Sequence, residues 1–108
     1  MEKKIDIIFM DDSLEKEFLN LPENDILKKK IRSAIEKIKK NPTFGEPIAK
    51  RLIPKKYTDQ GIDNAFWVGL SKEWRLIYSL TSNGKIEIIA IILEWFTRHK
   101  DYERRFKY

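Results

Sequence analysis

The spacing of hydrophobic positions changes along the chain, and each change marks an element. Ile5, Ile7 and Phe9 alternate with Asp6, Ile8 and Met10, the two-residue period of a short strand. Leu14, Phe18 and Leu21 then recur at helical spacing. Asp12 offers an N-cap oxygen with Glu15 three residues on, as in a capping box, and Pro22 stops this helix. A longer helix is predicted from Asp25 to Lys40, with Leu27, Ile31, Ala34, Ile35 and Ile38 as its apolar stripe. Asn41-Pro42 ends it, because the residue before proline disfavours α geometry.

Residues 43–64 hold Gly45, Pro47, Pro54 and Gly61 and read as a loop with, at most, a brief extended piece. Strand signals return at Ala65–Leu70, Trp74–Thr81 and Lys85–Trp95, with Ser82-Asn83-Gly84 as a tight hairpin turn between the last two. Ile86 to Leu93 is apolar at nearly every residue instead of alternating. A strand covered on both faces and flanked on both edges has that pattern, so it is placed centrally, with the N-terminal strand as its second neighbour. Residues 98–106 are charged, with Tyr102 and Phe106 four apart, and predict a short C-terminal helix. The expected order is β-α-α-β-β-β-α: an α+β fold, a helical hairpin packed on a mainly antiparallel four-stranded sheet, in a single domain over residues 1–108.

Composition removes several chemistries. There is no cysteine, which excludes disulfides, thiol nucleophiles and thiolate metal sites together. His99 is the only histidine, so no multi-histidine metal site is possible, and no clustered Asp/Glu pattern suggests magnesium. The glycines form neither a P-loop nor a dinucleotide fingerprint, so no cofactor is expected. The apolar stretch from Ile88 to Leu93 is far too short to cross a bilayer, and the opening residues lack a secretory core. A cytoplasmic protein with no membrane partner is expected.

The net charge of +5 is unevenly spread. Residues 1–25 carry eight acids against three bases, whereas residues 28–56 carry eleven bases against only Glu36 and Glu46. Arg98, Lys100, Arg104, Arg105 and Lys107 add a second basic segment. Such segregation suits a polyanion, because each neutralised phosphate releases counterions. It equally describes a solvated lysine face.

The element order, together with Trp74-Arg75-Leu76-Ile77-Tyr78, resembles the RelE/ParE superfamily of toxin–antitoxin toxins, in which a Tyr-Arg-(Leu/Val)-(Ile/Val)-Tyr stretch occupies the matching strand. Asn41-Pro42 followed by Gly45-Glu46-Pro47-Ile48 resembles a segment of YoeB-type members, and His99 and Tyr102 stand where the family carries His or Arg and Tyr. The resemblance implies a RelE-like fold and a metal-independent endoribonuclease, an mRNA interferase. Its partners would be mRNA, ribosomal RNA and a cognate, acidic antitoxin. The ParE branch shares the fold and inhibits gyrase, and a catalytically inactive RNA- or antitoxin-binding protein is a further alternative. The chain departs from RelE in having Phe66, Trp67 and Val68 where RelE has lysines. It departs from YoeB in the two residues between His99 and Tyr102.

Cutting RNA without a metal requires a base for the 2′-hydroxyl, a cation for the phosphorane oxygens and an acid for the 5′-oxygen. The resemblance implies Glu46 as base, Arg75 as phosphate clamp, His99 as acid and Tyr102 as positioning group. Each has a plainer reading. Arg75 could pair with Glu87 across the hairpin, Glu46 could be a loop acid, His99 a surface residue, and Tyr102 part of a packing stripe with Phe106. Trp67, Trp74 and Trp95 read first as core or edge anchors, and second as platforms for bases. Lys28, Lys29, Lys30, Lys50, Arg51, Lys55, Lys56 and Arg98 are the expected RNA-binding residues, with the Lys28–Lys30 run as either a phosphate rail or a solvated helix face.

Overall fold

The computed structural model describes residues 4–71, 73–82 and 87–106. In chain order the elements are β1 (Lys4–Phe9), α1 (Asp12–Asn20), α2 (Ile26–Lys40), β2 (Glu46–Pro47), a 3-10 turn (Lys50–Leu52), α3 (Lys55–Thr58), β3 (Phe66–Ser71), β4 (Trp74–Ser82), β5 (Glu87–Phe96) and α4 (His99–Phe106). The strand order is β1-β5-β4-β3-β2. β1 runs parallel to β5, because the α1–α2 hairpin carries the chain across the sheet between them, and the other neighbours are antiparallel. The class is α+β. The sheet is mixed and five-stranded, not four-stranded, the extra member being the two-residue edge strand β2. The predicted turn at Asn83-Gly84 lies outside the described residues.

Local chemistry explains the helix ends. Asp25 caps α2 by accepting from Leu27 N–H at 2.7 Å. α1 is capped by Asp11, which accepts from Leu14 N–H at 2.8 Å, one residue earlier than expected. Asp12 instead opens the helix, where its charge favours the positive end of the helix dipole.

β5 lies between β1 and β4, as its apolar run predicts, and separates two cores. On one face Phe18, Ile31, Ala34 and Ile38 of the helical hairpin pack on Val68, Leu70, Leu76, Tyr78, Ala90 and Ile92. On the other, Ile77, Leu93 and Phe96 meet Ile48, Tyr57, Ile62 and Ala65 from the middle of the chain and Tyr102 and Phe106 of α4. Residues 43–64 are therefore more than a loop. Ile48, Tyr57 and Ile62 follow no period, yet all bury in this second core.

A bulge separates Ile77 from Tyr78: Ile77 opposes Glu94 and Tyr78 opposes Ile92, leaving Leu93 over. It lets Leu93 and Glu94 both serve the second core, Leu93 by packing and Glu94 by a hydrogen bond to Tyr57.

Candidate functional site

Strand alternation on β4 sends Trp74, Leu76 and Tyr78 to the hairpin side, so Arg75 and Ile77 face α4. There the Arg75 guanidinium carbon lies 4.1 Å from the Trp67 ring centroid and 4.6 Å from that of Tyr102. Two aromatic faces attract the cation and fix its plane while leaving its N–H edges uncommitted. Among the described residues no carboxylate or other acceptor bonds Arg75. The hairpin pairing with Glu87 fails on register. Arg75 opposes Phe96, while Glu87 lies beyond the Ser82–Ile88 pair at the opposite end of β5.

Tyr102 is fully buried, stacks with the His99 imidazole at 6.1 Å and 21°, and meets Phe96 edge-on. His99 Nε2 lies 2.9 Å from Glu103 one helical turn on. Trp67, Arg75, Tyr102 and His99 thus form one connected series of ring contacts. Tyr102 is both a core residue and the support of Arg75.

Glu46 pairs in register with Trp67, so both side chains leave the same face of the sheet. Its carboxylate is exposed and bonds nothing among the described residues. The loop before it is held by the buried Tyr78, whose hydroxyl donates to Pro42 O at 2.7 Å and accepts from Gly45 N–H at 2.9 Å. Burial raises the Tyr78 phenol above its ordinary pKa, so it remains a donor. Gly45 is required here, since a Cβ would stand 2.9 Å from both Trp67 O and the Tyr78 ring.

The expected RNA-binding residues divide between the two faces. Lys50 and Arg51 on the 3-10 turn, Lys55 and Lys56 on α3, and Arg98 ahead of α4 are exposed on the Arg75 side. Lys55 lies 3.7 Å from Asp59 and Lys56 lies 3.6 Å from Glu94. Arg98 is bound through two nitrogens to Asp101, which holds that carboxyl below its usual pKa. Lys29 and Lys30 are exposed on α2, against the hairpin side.

Lys28 is not a rail residue at all. Its side chain is 3% exposed, and Nζ donates to Glu23 Oε1 at 2.6 Å and to the carbonyls of Leu21 and Leu19 at 3.0 and 3.3 Å. These carbonyls lie at the end of α1, where orphan acceptors and the helix dipole favour a cation.

A second polar cluster surrounds Glu94. Its carboxylate accepts from the Tyr57 hydroxyl at 2.6 Å and from Arg105 Nη2 at 3.2 Å. Arg105 Nε approaches to 2.9 Å, an ion-pair distance without hydrogen-bond alignment. Burial, then the Glu94 charge, pushes the Tyr57 phenol far above the ordinary tyrosine range, so it stays protonated as the donor. Nothing in the sequence reading singled out Tyr57 or Glu94. The available signal was a lone acid inside an apolar strand, a residue type rarely buried without partners. Comparisons with family models, curated proteins and solved structures give no match to this chain.

Proposed function

We propose that the protein is a metal-independent endoribonuclease of the RelE/YoeB toxin type, with the RelE-like fold. It would act in the cytoplasm on ribosome-bound mRNA and be restrained by an acidic antitoxin. The observation that carries this reading is Arg75, a cation oriented by Trp67 and Tyr102 with no acceptor of its own among the described residues. A structural arginine in so apolar a setting would normally have a carboxylate, because an unpaired charge there is costly. A phosphate supplies the missing acceptor, and the planar fork matches it bidentately.

The steps follow from the residues present. Glu46 takes the proton of the 2′-hydroxyl, whose oxygen forms a bond to phosphorus. Arg75 stabilises the charge developing on the non-bridging oxygens. The bond to the 5′-oxygen breaks as His99 supplies that oxygen with a proton. With Nε2 directed to Glu103, Nδ1 is the ring nitrogen that faces the substrate's oxygen. The products carry a 2′,3′-cyclic phosphate and a 5′-hydroxyl.

Single-turnover cleavage of mRNA, read by primer extension, tests this directly. Arg75→Ala should lower the rate on the order of 10²-fold or more, the scale for losing one transition-state donor. Arg75→Lys should also impair cleavage, since it keeps the charge and loses the fork. Wild-type-like cleavage by Arg75→Ala would remove Arg75 from the site. Absence of cleavage by the wild type both on mRNA bound to intact ribosomes and on free RNA with EDTA would overturn the nuclease reading, and gyrase inhibition would then be assayed.

A further inference from the structure

Between the 3-10 turn, α3 and the last turn of α4 lies an open cleft of about 490 Å³, lined by Arg51, Leu52, Ile53, Pro54, Lys55, Lys56, Arg104, Arg105 and Phe106. Five of these residues are cations and none is an acid. The neighbouring acids neutralise only some of that charge. Glu94 engages Lys56 and Arg105, Asp59 lies near Lys55, and Asp101 acts on Arg104 at longer range. Arg51 and Arg104 are exposed and have no carboxylate within ion-pair distance among the described residues. Leu52, Ile53 and Pro54 give the same cleft an apolar wall.

We infer that this cleft binds the phosphates of an RNA strand flanking the phosphate held at Arg75, an inference that rests on the nuclease reading above. Three observations carry it. The volume falls in the range of small-ligand sites, large enough for nucleotide-sized groups. Unpaired guanidinium groups at an open mouth suit phosphodiester oxygens, which accept two parallel N–H bonds, more than they suit a neutral ligand. The cleft also adjoins the Arg75 site without sharing a residue with it. Phe106 at its edge is one α4 turn, about 6 Å, beyond Tyr102. A strand crossing Arg75 along α4 therefore reaches Arg104 and Arg51 within a few nucleotides. Glu94 becomes the device that holds Lys56 and Arg105 in place at the cleft wall while lowering its charge.

The test is binding of a 2′-O-methyl RNA oligonucleotide, which has no free 2′-hydroxyl and so cannot be cut by this route. Fluorescence anisotropy is recorded across a salt series for the wild type, Arg51→Gln/Arg104→Gln and Lys39→Gln/Lys40→Gln. The last pair removes the same charge from α2, on the opposite side of the sheet. Loss of two phosphate contacts should make the slope of log affinity against log salt shallower by about 1.4 in the arginine pair, with a smaller change in the lysine pair. Equal changes in both pairs would show a diffuse basic field and overturn the cleft. So would wild-type affinity and slope in the arginine pair, and cleavage by the wild type would then leave the nuclease reading standing. A wild type that neither binds this RNA nor cuts mRNA would bring down both.

Discussion

The two faces of the sheet bury similar kinds of apolar residue and differ in what accompanies them. Towards the α1–α2 hairpin, Val68, Leu70, Leu76 and Ile92 meet Ile31, Ala34 and Ile38, and two polar groups there, the Lys28 ammonium and the Tyr78 hydroxyl, are spent within the chain on the Glu23 carboxylate, backbone carbonyls and the Gly45 N–H. Towards α4, the second core is threaded by Arg75, Glu94, Arg105 and Lys56, whose charges meet rings, each other or open surface. Internal satisfaction of polar groups holds a fold. Polar groups held in place but not fully satisfied leave bonding capacity for something that arrives. The contrast predicts that substitutions on the hairpin side alter stability, and that those on the α4 side alter binding or turnover more.

The largest expected effect lies at the seam between the faces. Gly45→Ala would force a Cβ against the backbone of Trp67 and the Tyr78 ring, so either β2 detaches or β3 shifts. A loss of roughly 3 kcal/mol or more in urea unfolding is expected, at the upper end for overpacking. A loss below about 1 kcal/mol would mean that the loop and Glu46 are held by something other than this close approach. Lys28→Ala comes next. It removes a buried cation from three acceptors and should cost about 2–3 kcal/mol, against at most roughly 0.5 kcal/mol for Lys29→Ala or Lys30→Ala. Equal melting temperatures for the three variants would erase the difference between a clamp and a surface lysine.

On the other face, Glu94→Gln keeps the volume and an acceptor for Tyr57 but frees Lys56 and Arg105. The Glu94 side chain is only 15% exposed and Arg105 Nε is buried, so the expected loss is about 1.5–2 kcal/mol, the lower part of the range for a hydrogen bond to a charged group. RNA affinity should rise and its salt slope steepen, because two cations regain phosphate capacity. A variant both destabilised by several kcal/mol and weaker in RNA binding would place Glu94 with the structural groups.

The smallest effect is a pH dependence. Hydrogen bonds from Lys28 and Arg32 hold the Glu23 carboxyl below its usual pKa. A carboxyl depressed in the folded state contributes stability above its unfolded pKa of about 4.3, and that contribution is lost as pH falls through the folded value. Acid titration of melting temperature should therefore show a shallower decline in Glu23→Gln than in the wild type over that range. Parallel profiles would show the pair to be too solvated to matter, in keeping with the 75% exposure of the Glu23 side chain.

What was legible in the chain was whatever obeyed a period. Alternation around Arg75 gave its face, the unbroken apolar run gave β5 its place beside β1, and Asp25 marked the start of α2. Lys28 could have been read, since it stands three residues before Ile31 on the apolar stripe and is more than a member of a basic run. The second core could not, because Ile48, Tyr57 and Ile62 are apolar at no repeating interval and their partners lie on β5 and α4. For the site, Arg75, Tyr102 and His99 were nameable and do gather. Trp67 as the platform beneath Arg75 emerges only from the β3–β4 register, which pairs Trp67 with Ile77 and Gly69 with Arg75.

The parallel pairing of β1 with β5 also sets a timetable. Lys4 to Phe9 are made well before their ladder partners, Glu87 to Ile92, with the helical hairpin and strands β2 to β4 between them. At roughly 5–20 residues per second the first strand waits on the order of ten seconds for its neighbour. Pairing this distant in sequence is also intrinsically slow to form. Tyr102 is synthesised later still, and without it Arg75 lacks one of its two rings. A nascent chain stopped anywhere between β4 and α4 therefore holds Arg75 without the ring that completes its setting.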